Sequence, residues 1–357
     1  MYPRIVADLN KLKENLDFLN DLCHGQGIET AIVTKVFCAD PIIVSLIDSS
    51  GADMIADSRT QNLSGMKTTK PRLLLRIGMQ SETDSIVSCS EISMQSELET
   101  VLKLNDSAKK LGKIHRVILM IDMGDLREGI FKTDHDAIIK TAKAIDDADC
   151  LEMYGIGVNL TCYGGILPDE DNLGGLVAIK NRLERELGVS IPVVSGGNSS
   201  TMGMLMNRSV PAGINHLRLG ESFVLGNDTA VGKPVKGLNT DCFVLEAEIV
   251  ELKTKPSKPI GKSGPNAFGE YLEYPDRGLM KRAVLAIGRQ DVSVDGLTPV
   301  DVGVEIIGAS SDHLIVNLTE ANKEYRVGDV LRFIPDYGAL LHLYTSKYVD
   351  KTYIDLK

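Results

Sequence analysis

The chain of 357 residues is 43% hydrophobic and 25% charged, the profile of a soluble globular protein with two domains, or one large barrel and an appendage. A formal net charge of −10 disfavours nucleic acid as a partner, because phosphate backbones are gripped by basic patches. No apolar run approaches the ~20 residues of a membrane helix, and the opening MYPRIVADLNKLKEN lacks the parts of a signal peptide. The expected setting is therefore the cytoplasm, with no membrane partner. The cysteines at 23, 38, 89, 150, 162 and 242 form no Cys-x-x-Cys pair and read as reduced thiols. Neither they nor the histidines cluster as a metal site requires, so no metal is expected.

From residue 10 to about 230, short apolar runs alternate with helical stretches. The strand candidates are AIVTKVF (31–37), DMIADS (53–58), RLLLRIG (72–78), EISMQ (91–95), RVILMIDMG (116–124), MYGIGVNL (153–160), PVVSGGNS (192–199) and HLRLGE (216–221). Between them, segments such as SELETVLKLNDSAKKLGK and HDAIIKTAKAIDDAD repeat apolar residues every three or four positions and open on a capping residue or an early acid. About eight strands, each followed by a helix, favour a (β/α)8 TIM-type barrel over an open doubly wound sheet.

After residue 232 the texture changes. GKPVKGLNTD and TKPSKPIGKSGPNAFG are rich in Gly, Pro and Lys, while CFVLEAEIVEL, RAVLAIG, DVGVEIIGAS, HLIVNLT and VLRFIPDYGALLHLY read as strands without a long amphipathic helix. The expected organisation is a barrel over 1–232, whose first few residues can join the other domain, and a C-terminal, mostly-β domain over 233–357. Two motifs lead nowhere. Gly261-Lys262-Ser263 has Pro256 where a phosphate-binding loop needs glycine, and GPNAFG where it needs a helix. Ser195 and Ser199 lack the flanking glycine pattern and His/Asp partners of a nucleophile.

Barrel enzymes place function at the C-terminal ends of their strands and often hold phosphate after strands seven and eight. Here the seventh ends in Ser195-Gly196-Gly197-Asn198-Ser199-Ser200 and the eighth in Arg218-Leu219-Gly220-Glu221. Glycines let backbone N–H groups approach an anion, and Ser199 adds a hydroxyl. The first strand carries Lys35 in an otherwise apolar run. A lysine there either snorkels into water from the strand's end or is used covalently, because desolvation disfavours the ammonium. Beside a phosphate site, a Schiff-base lysine is the sharper reading.

The motifs VTKVFCAD, MIADSR, MIDMGDLREGI, GIGVNLTCYGG, SGGNSS, NHLRLGESFVLG, AIGRQDV, GASSDHLIVNLT and IPDYGALLHLY run in order through nearly the whole chain. In this order and spacing they resemble the alanine racemase superfamily, the fold-type III enzymes of pyridoxal 5′-phosphate (PLP), and within it the ornithine and lysine racemases. The resemblance implies a PLP-dependent isomerase that interconverts the L and D forms of a basic amino acid, ornithine or lysine. Lys35 would carry the cofactor as a Schiff base and serve one face of the substrate. Ser199, the backbone of Gly220 and Glu221, and the hydroxyl of Tyr337 would hold the phosphate, with Arg218 at the pyridine nitrogen. Asn159 stands where the family has a ring-stacking histidine. Arg127, after the fifth strand, matches the arginine near the substrate carboxylate.

An arginine is always a donor, so Arg218 would leave the pyridine nitrogen unprotonated and favour α-proton exchange over decarboxylation. For the second face, Arg289 in Gly288-Arg289-Gln290-Asp291 replaces the family tyrosine and is a poor base, which brings in Asp291, His313 or Tyr163. Ala39 and Met120 also depart from the family, at its phosphate tyrosine and at a lysine before the carboxylate-binding arginine. Ser311 and Asp312 match the segment that reaches the partner's site, so a homodimer is implied. Asp312, or an acid of the GDLREG loop, is the expected holder of a distal amine. The competing readings are an alanine or broad-specificity racemase, a fold-type III decarboxylase or aldolase, a PLP-homeostasis protein and a barrel for some sugar phosphate.

Overall fold

The computed structural model describes residues 1–271 and 273–355. The chain forms two compact units, Lys11–Thr240 and Met1–Asn10 with Asp241–Lys357. It opens with strand β1 (Arg4–Asp8), followed by helix α1 (Leu9–His24), in which Leu9, Leu12, Leu16, Leu19 and Cys23 repeat at three- and four-residue spacing and are all buried.

The larger unit is a closed parallel barrel. Its strands are β2 (Glu29–Val33), β3 (Met54–Asp57), β4 (Arg72–Leu74), β5 (Ile92–Gln95), β6 (His115–Asp122), β7 (Leu151–Gly157), β8 (Val193–Ser195) and β9 (His216–Leu219). Each pairs with its neighbours in chain order, and β9 pairs back onto β2 to close the ring. All eight strand candidates are found. Helices α2 (Leu98–Leu111), α3 (His135–Asp146) and α4 (Glu170–Leu187) fill three of the crossovers, and shorter helices lie in the earlier ones. Their ends follow local chemistry. Asp134 caps α3 through the Ala137 N–H, and α2 stops at Gly112, whose left-handed backbone (φ 62) returns its N–H to Ala108 and Lys109.

Alternate residues of the strands fill the barrel. Ala31, Val33, Met54, Ala56, Leu73, Ile92, Met94, Ile118, Met120 and Val193 form one buried apolar cluster. Arg218 pairs in register with Ala31 and therefore points inward with it. One side of the barrel interior is thus polar.

The strand expected over 31–37 needs correction. It ends at Val33, and Lys35–Phe37 make one 3-10 turn, closed by Cys38 in the left-handed conformation (φ 51). Thr34 causes the break. Its N–H and hydroxyl both bond to the Ala56 carbonyl, and the hydroxyl also lies 2.6 Å from the Asp57 carboxylate, so the chain is pinned to β3 as it leaves the sheet. Lys35 consequently stands on a turn past the strand. The seventh candidate also shortens, from 192–199 to Val193–Ser195, because Gly196 and Gly197 begin the loop that leads through the turn Ser199–Thr201 into α5 (Met202–Met206). After β9, α6 (Glu221–Leu225) follows with Gly220 alone between them.

The smaller unit is built on one largely antiparallel sheet. In chain order its further strands are β10 (Phe243–Pro256), β11 (Leu279–Leu285), β12 (Leu297–Pro299), β13 (Glu305–Ala309), β14 (Leu314–Asn317), β15 (Val330–Pro335) and β16 (Asp350–Ile354). They are arranged β12-β15-β10-β11-β14-β13, and β1 lies against both β10 and β16. Along β10, Phe243, Leu245, Ala247 and Ile249 are fully buried at every second position, as a sheet with one covered face requires. VLRFIPDYGALLHLY is not one strand. It breaks after Pro335, and Tyr337 opens helix α7 (Tyr337–Thr345), because Asp336 caps the Ala339 N–H at 2.7 Å. Gly261-Lys262-Ser263 lie on an exposed loop with no helix behind them. Among the described residues no helix is long and apolar enough to cross a membrane.

Two buried histidines set an acid limit on this fold. Burial pulls His115 down to about 4 and His216 to about 3, each from 6.5. An unfolded chain takes up protons at these groups below pH 6.5 while the folded one does not, so stability falls from pH 6.5 towards pH 4. The slope is at most about 1.4 kcal/mol per pH unit for each histidine. Chemical denaturation across that range is expected to show a shallower acid loss in His115→Gln than in the parent; identical slopes would contradict it.

Candidate active site

Arg218 is the residue around which the barrel mouth is built. It is 3% exposed, and its hydrogen-bond acceptors among the described residues are all neutral. One Nη donates to the Ser195 hydroxyl, and the other to the Val158 carbonyl and to Asn159 Oδ1, both at 2.6 Å. Burial pulls the guanidinium down to about 10, which leaves it charged at neutral pH. Because arginine only donates, the Ser195 hydroxyl accepts from it and keeps its own proton available for His216 Nδ1, 2.7 Å away. Burial, with the neighbouring Arg218 charge acting in the same direction, keeps His216 neutral.

The network continues outward. Asn159 accepts from Arg218, so its Nδ2 donates to Glu128 Oε1. Glu128 in turn grips Arg127 with both carboxylate oxygens, one of them at 2.6 Å. A continuous chain of polar contacts thus runs Arg127, Glu128, Asn159, Arg218, Ser195, His216, from the rim to the interior. The rim loop is shaped for this. Asp122 Oδ1 accepts from the N–H groups of Gly124 and Leu126, and Gly129 (φ +122) passes so close to the end of β6 that a Cβ there would lie 2.5 Å from the Asp122 nitrogen. Asp125 ties the next loop down by accepting from the N–H groups of Tyr163 and Ile166.

Beside Arg218, the Ser199 hydroxyl receives the backbone N–H groups of Gly220 (3.3 Å) and Ser222 (3.1 Å) and touches the Ser222 hydroxyl at 3.0 Å. Glu221 is the first residue of α6. The adjacent Ser200 hydroxyl is buried with no partner among the described residues. Hydroxyls and N–H donors converging on one point, with a spare buried hydroxyl next to them, suit a phosphate group.

Lys35 is half-buried on its turn. Burial lowers its pKa, with Arg127 acting in the same direction, while Cys162 and the carboxylates of Asp57 and Glu128 pull it back. Asp57 itself is fully buried at the end of β3, held by the Thr34 hydroxyl, the Arg59 N–H (2.9 Å) and Asn62 Nδ2, and burial raises its pKa. It pins the residue immediately before Lys35. Asp57, Ser195, His216 and Ser222 are the contributors that motif reading missed, whereas Glu128 is one of the two acids of the GDLREG loop that it singled out. Only Ser222 carries a readable signal, as the next donor in the Gly220-Glu221-Ser222 run.

The barrel thus brings Lys35, Arg127, Asn159, Ser199, Arg218, Gly220 and Glu221 to one end. The other sequence candidates sit on the second unit. Gly288 packs against the Ser311 carbonyl so tightly that a Cβ would lie 2.3 Å from it, and the Arg289 and Gln290 N–H groups bond to Ser310 and Ser311. This joins the loops of Arg289, Asp291, Ser311 and Asp312. Arg289 pairs with Glu270 at 3.0 Å and lies over the Phe268 ring, and Asp291 accepts from the Ser346 hydroxyl at 2.6 Å. Ser311 donates to Asp312, His313 is exposed beside them, and Tyr337 begins α7. Tyr163, on the barrel, is exposed.

A lysine in place of Arg218 cannot reach Ser195, Val158 and Asn159 together. Arg218→Lys is therefore expected to lose about 2–4 kcal/mol of unfolding free energy, since buried acceptors are left unpaired. Denaturant titration reads this directly, and a change below about 0.5 kcal/mol would refute the network's role.

Comparison with known proteins bears on this site. Residues 7–228 match the family described as alanine racemase, N-terminal domain. The ornithine racemase of Acetoanaerobium sticklandii is 48% identical over 352 residues, covering 98% of this chain and 99% of that protein. The lysine racemase of Thermotoga maritima is 38% identical over 356 residues, covering 99% of each. Among solved structures, the alanine racemase of Streptomyces lavendulae superposes with a TM-score of 0.75 at 15% identity, covering 100% of this chain and 98% of that one. The D-threonine aldolase of Filomicrobium marinum gives 0.72 at 15% identity, covering 96% and 88%. The last two establish the fold alone. By its family match and its full-length relatives, the chain belongs to the alanine racemase family.

Proposed function

We propose that the protein is a PLP-dependent racemase of a basic amino acid, ornithine first and lysine second. The observation that carries this is the likeness to an ornithine and a lysine racemase along the whole chain, over a barrel mouth whose donors suit the cofactor.

In this reading Ser199 and the N–H groups of Gly220 and Ser222 hold the phosphate, with Glu221 adding its backbone. Arg218 meets the pyridine nitrogen as a donor, and Asn159 keeps that donor in place. When bound, PLP supplies the electron sink that makes an α-proton acidic. Lys35 carries the cofactor and moves the α-proton at its Nζ on one face. Its lowered pKa makes the neutral amine more accessible than in an exposed lysine. Arg127 receives the substrate carboxylate. For the opposite face the chain offers Arg289 and Asp291. An arginine rather than an acid at the pyridine nitrogen would favour α-proton exchange over decarboxylation or aldol cleavage.

Ser311 and Asp312 would reach a partner's site, so the working form is a homodimer, which sedimentation of the purified protein tests. All six cysteines are free thiols, in keeping with a cytoplasmic setting.

Incubation of the PLP-loaded protein with L-ornithine, L-lysine or L-alanine in D₂O, followed by chiral chromatography and mass spectrometry, tests the reading. The expected result is D-ornithine carrying one α-deuterium, with alanine turned over far more slowly. Lys35→Ala should lower the rate by more than about 10³-fold. Release of CO₂ or an aldehyde, or equal turnover of alanine and ornithine, would overturn it.

A further inference from the structure

The acids near the barrel mouth differ in what holds them. Asp57 is fully buried and bound by the Thr34 hydroxyl, the Arg59 N–H and Asn62. Asp122 and Asp125 spend their oxygens on backbone N–H groups that shape the rim loops. These three are structural. Glu128 is not: its hydrogen-bond partners are the side chains of Arg127 and Asn159, and its charge acts on both Lys35 and Arg218. Its side chain is 18% exposed and that of Arg127 39%, so the pair can be reached from solvent.

An ion pair open to solvent on one side adds little net stability and is readily exchanged. Its two charges are the complement of a diamino acid, which presents a carboxylate at one end and an ammonium at the other. We propose that Glu128 is the specificity-determining residue that receives the distal ammonium of the substrate. The α-carboxylate takes Arg127 from it, and the side-chain ammonium takes the place of Arg127 on Glu128. Every charge keeps a partner through the exchange. Norvaline, which has the ornithine carbon chain without the distal amine, breaks the same ion pair but returns nothing to the glutamate. A partly desolvated carboxylate left without its cation disfavours that complex. Asn159 holds Glu128 in position meanwhile, so the carboxylate need not move far. The alternative acid, Asp312, is bonded to the neighbouring Ser311 hydroxyl on the β-rich unit and has no comparable cation to surrender among the contacts described.

This inference rests on the reading of the protein as a racemase of basic amino acids, and its test separates the two. Racemisation of L-ornithine and L-norvaline is compared in the holoenzyme and in Glu128→Gln and Glu128→Asp. Binding of δ-aminovalerate and valerate is measured by calorimetry. Neither has an α-amine, so both report the carboxylate and ammonium contacts alone. Glu128→Gln is expected to lower kcat/KM for ornithine by roughly 10- to 100-fold, chiefly through KM, to change norvaline by less than about 3-fold, and to abolish the preference for δ-aminovalerate over valerate. Glu128→Asp should restore part of that preference. Equal losses on ornithine and norvaline would overturn the proposal and leave Glu128 as a support for Arg127. If the parent racemises no basic amino acid, the functional reading falls, and the two acids' relative affinities still decide whether Glu128 receives an ammonium.

Discussion

A guanidinium buried inside a barrel must be satisfied on every side, and the arrangement of this site follows from that constraint. Among the described residues Arg218 has no counter-ion in contact; its acceptors are a hydroxyl, a carbonyl and a carboxamide. Neutral acceptors of this kind keep the charge solvated without cancelling it, so its field stays available at the mouth. The same contacts dictate the state of their neighbours. The Arg218 charge helps to keep His216 neutral, and Asn159 must turn its NH₂ outward to Glu128.

Loop acids perform the mechanical work around this centre. Asp57 fixes the turn before Lys35 by way of Thr34, Asp122 curls the chain after β6, and Asp125 ties two rim loops together. Each lies at or just beyond the C-terminal end of a strand and accepts from backbone or short side-chain donors. Rigid loops of this sort let one barrel present groups from several strands to a common point. Glu128 stands apart because its partners are side chains, which makes its contacts exchangeable.

The barrel is legible because short apolar runs alternate with helical stretches of three- and four-residue period, and those runs mark the positions of all eight strands. Errors arose where a side-chain contact overrides propensity. The apolar run through residue 37 hides the Thr34 bonds that end β2 at Val33, and the Pro335-Asp336 break inside an apolar run conceals the start of α7. The site was legible to the extent that it is written in motifs: Lys35, Ser199, Arg218 and the Gly220 loop. Asp57 and His216 stayed hidden, since a carboxylate or imidazole in a strand discloses neither its burial nor its partner. Ser195 was read as a residue without chemistry and proves to be the link between Arg218 and His216.

The central claim is that the amine of Lys35 and the anion cradle of Ser199, Gly220 and Ser222 hold one molecule between them. Borohydride treatment of the protein incubated with PLP, followed by peptide mapping, tests it most directly. The account predicts a pyridoxyl group on Lys35 alone, and its loss when Ser199→Asp puts a negative charge in the cradle. Labelling of another lysine, or labelling of Lys35 that survives that substitution undiminished, would contradict it.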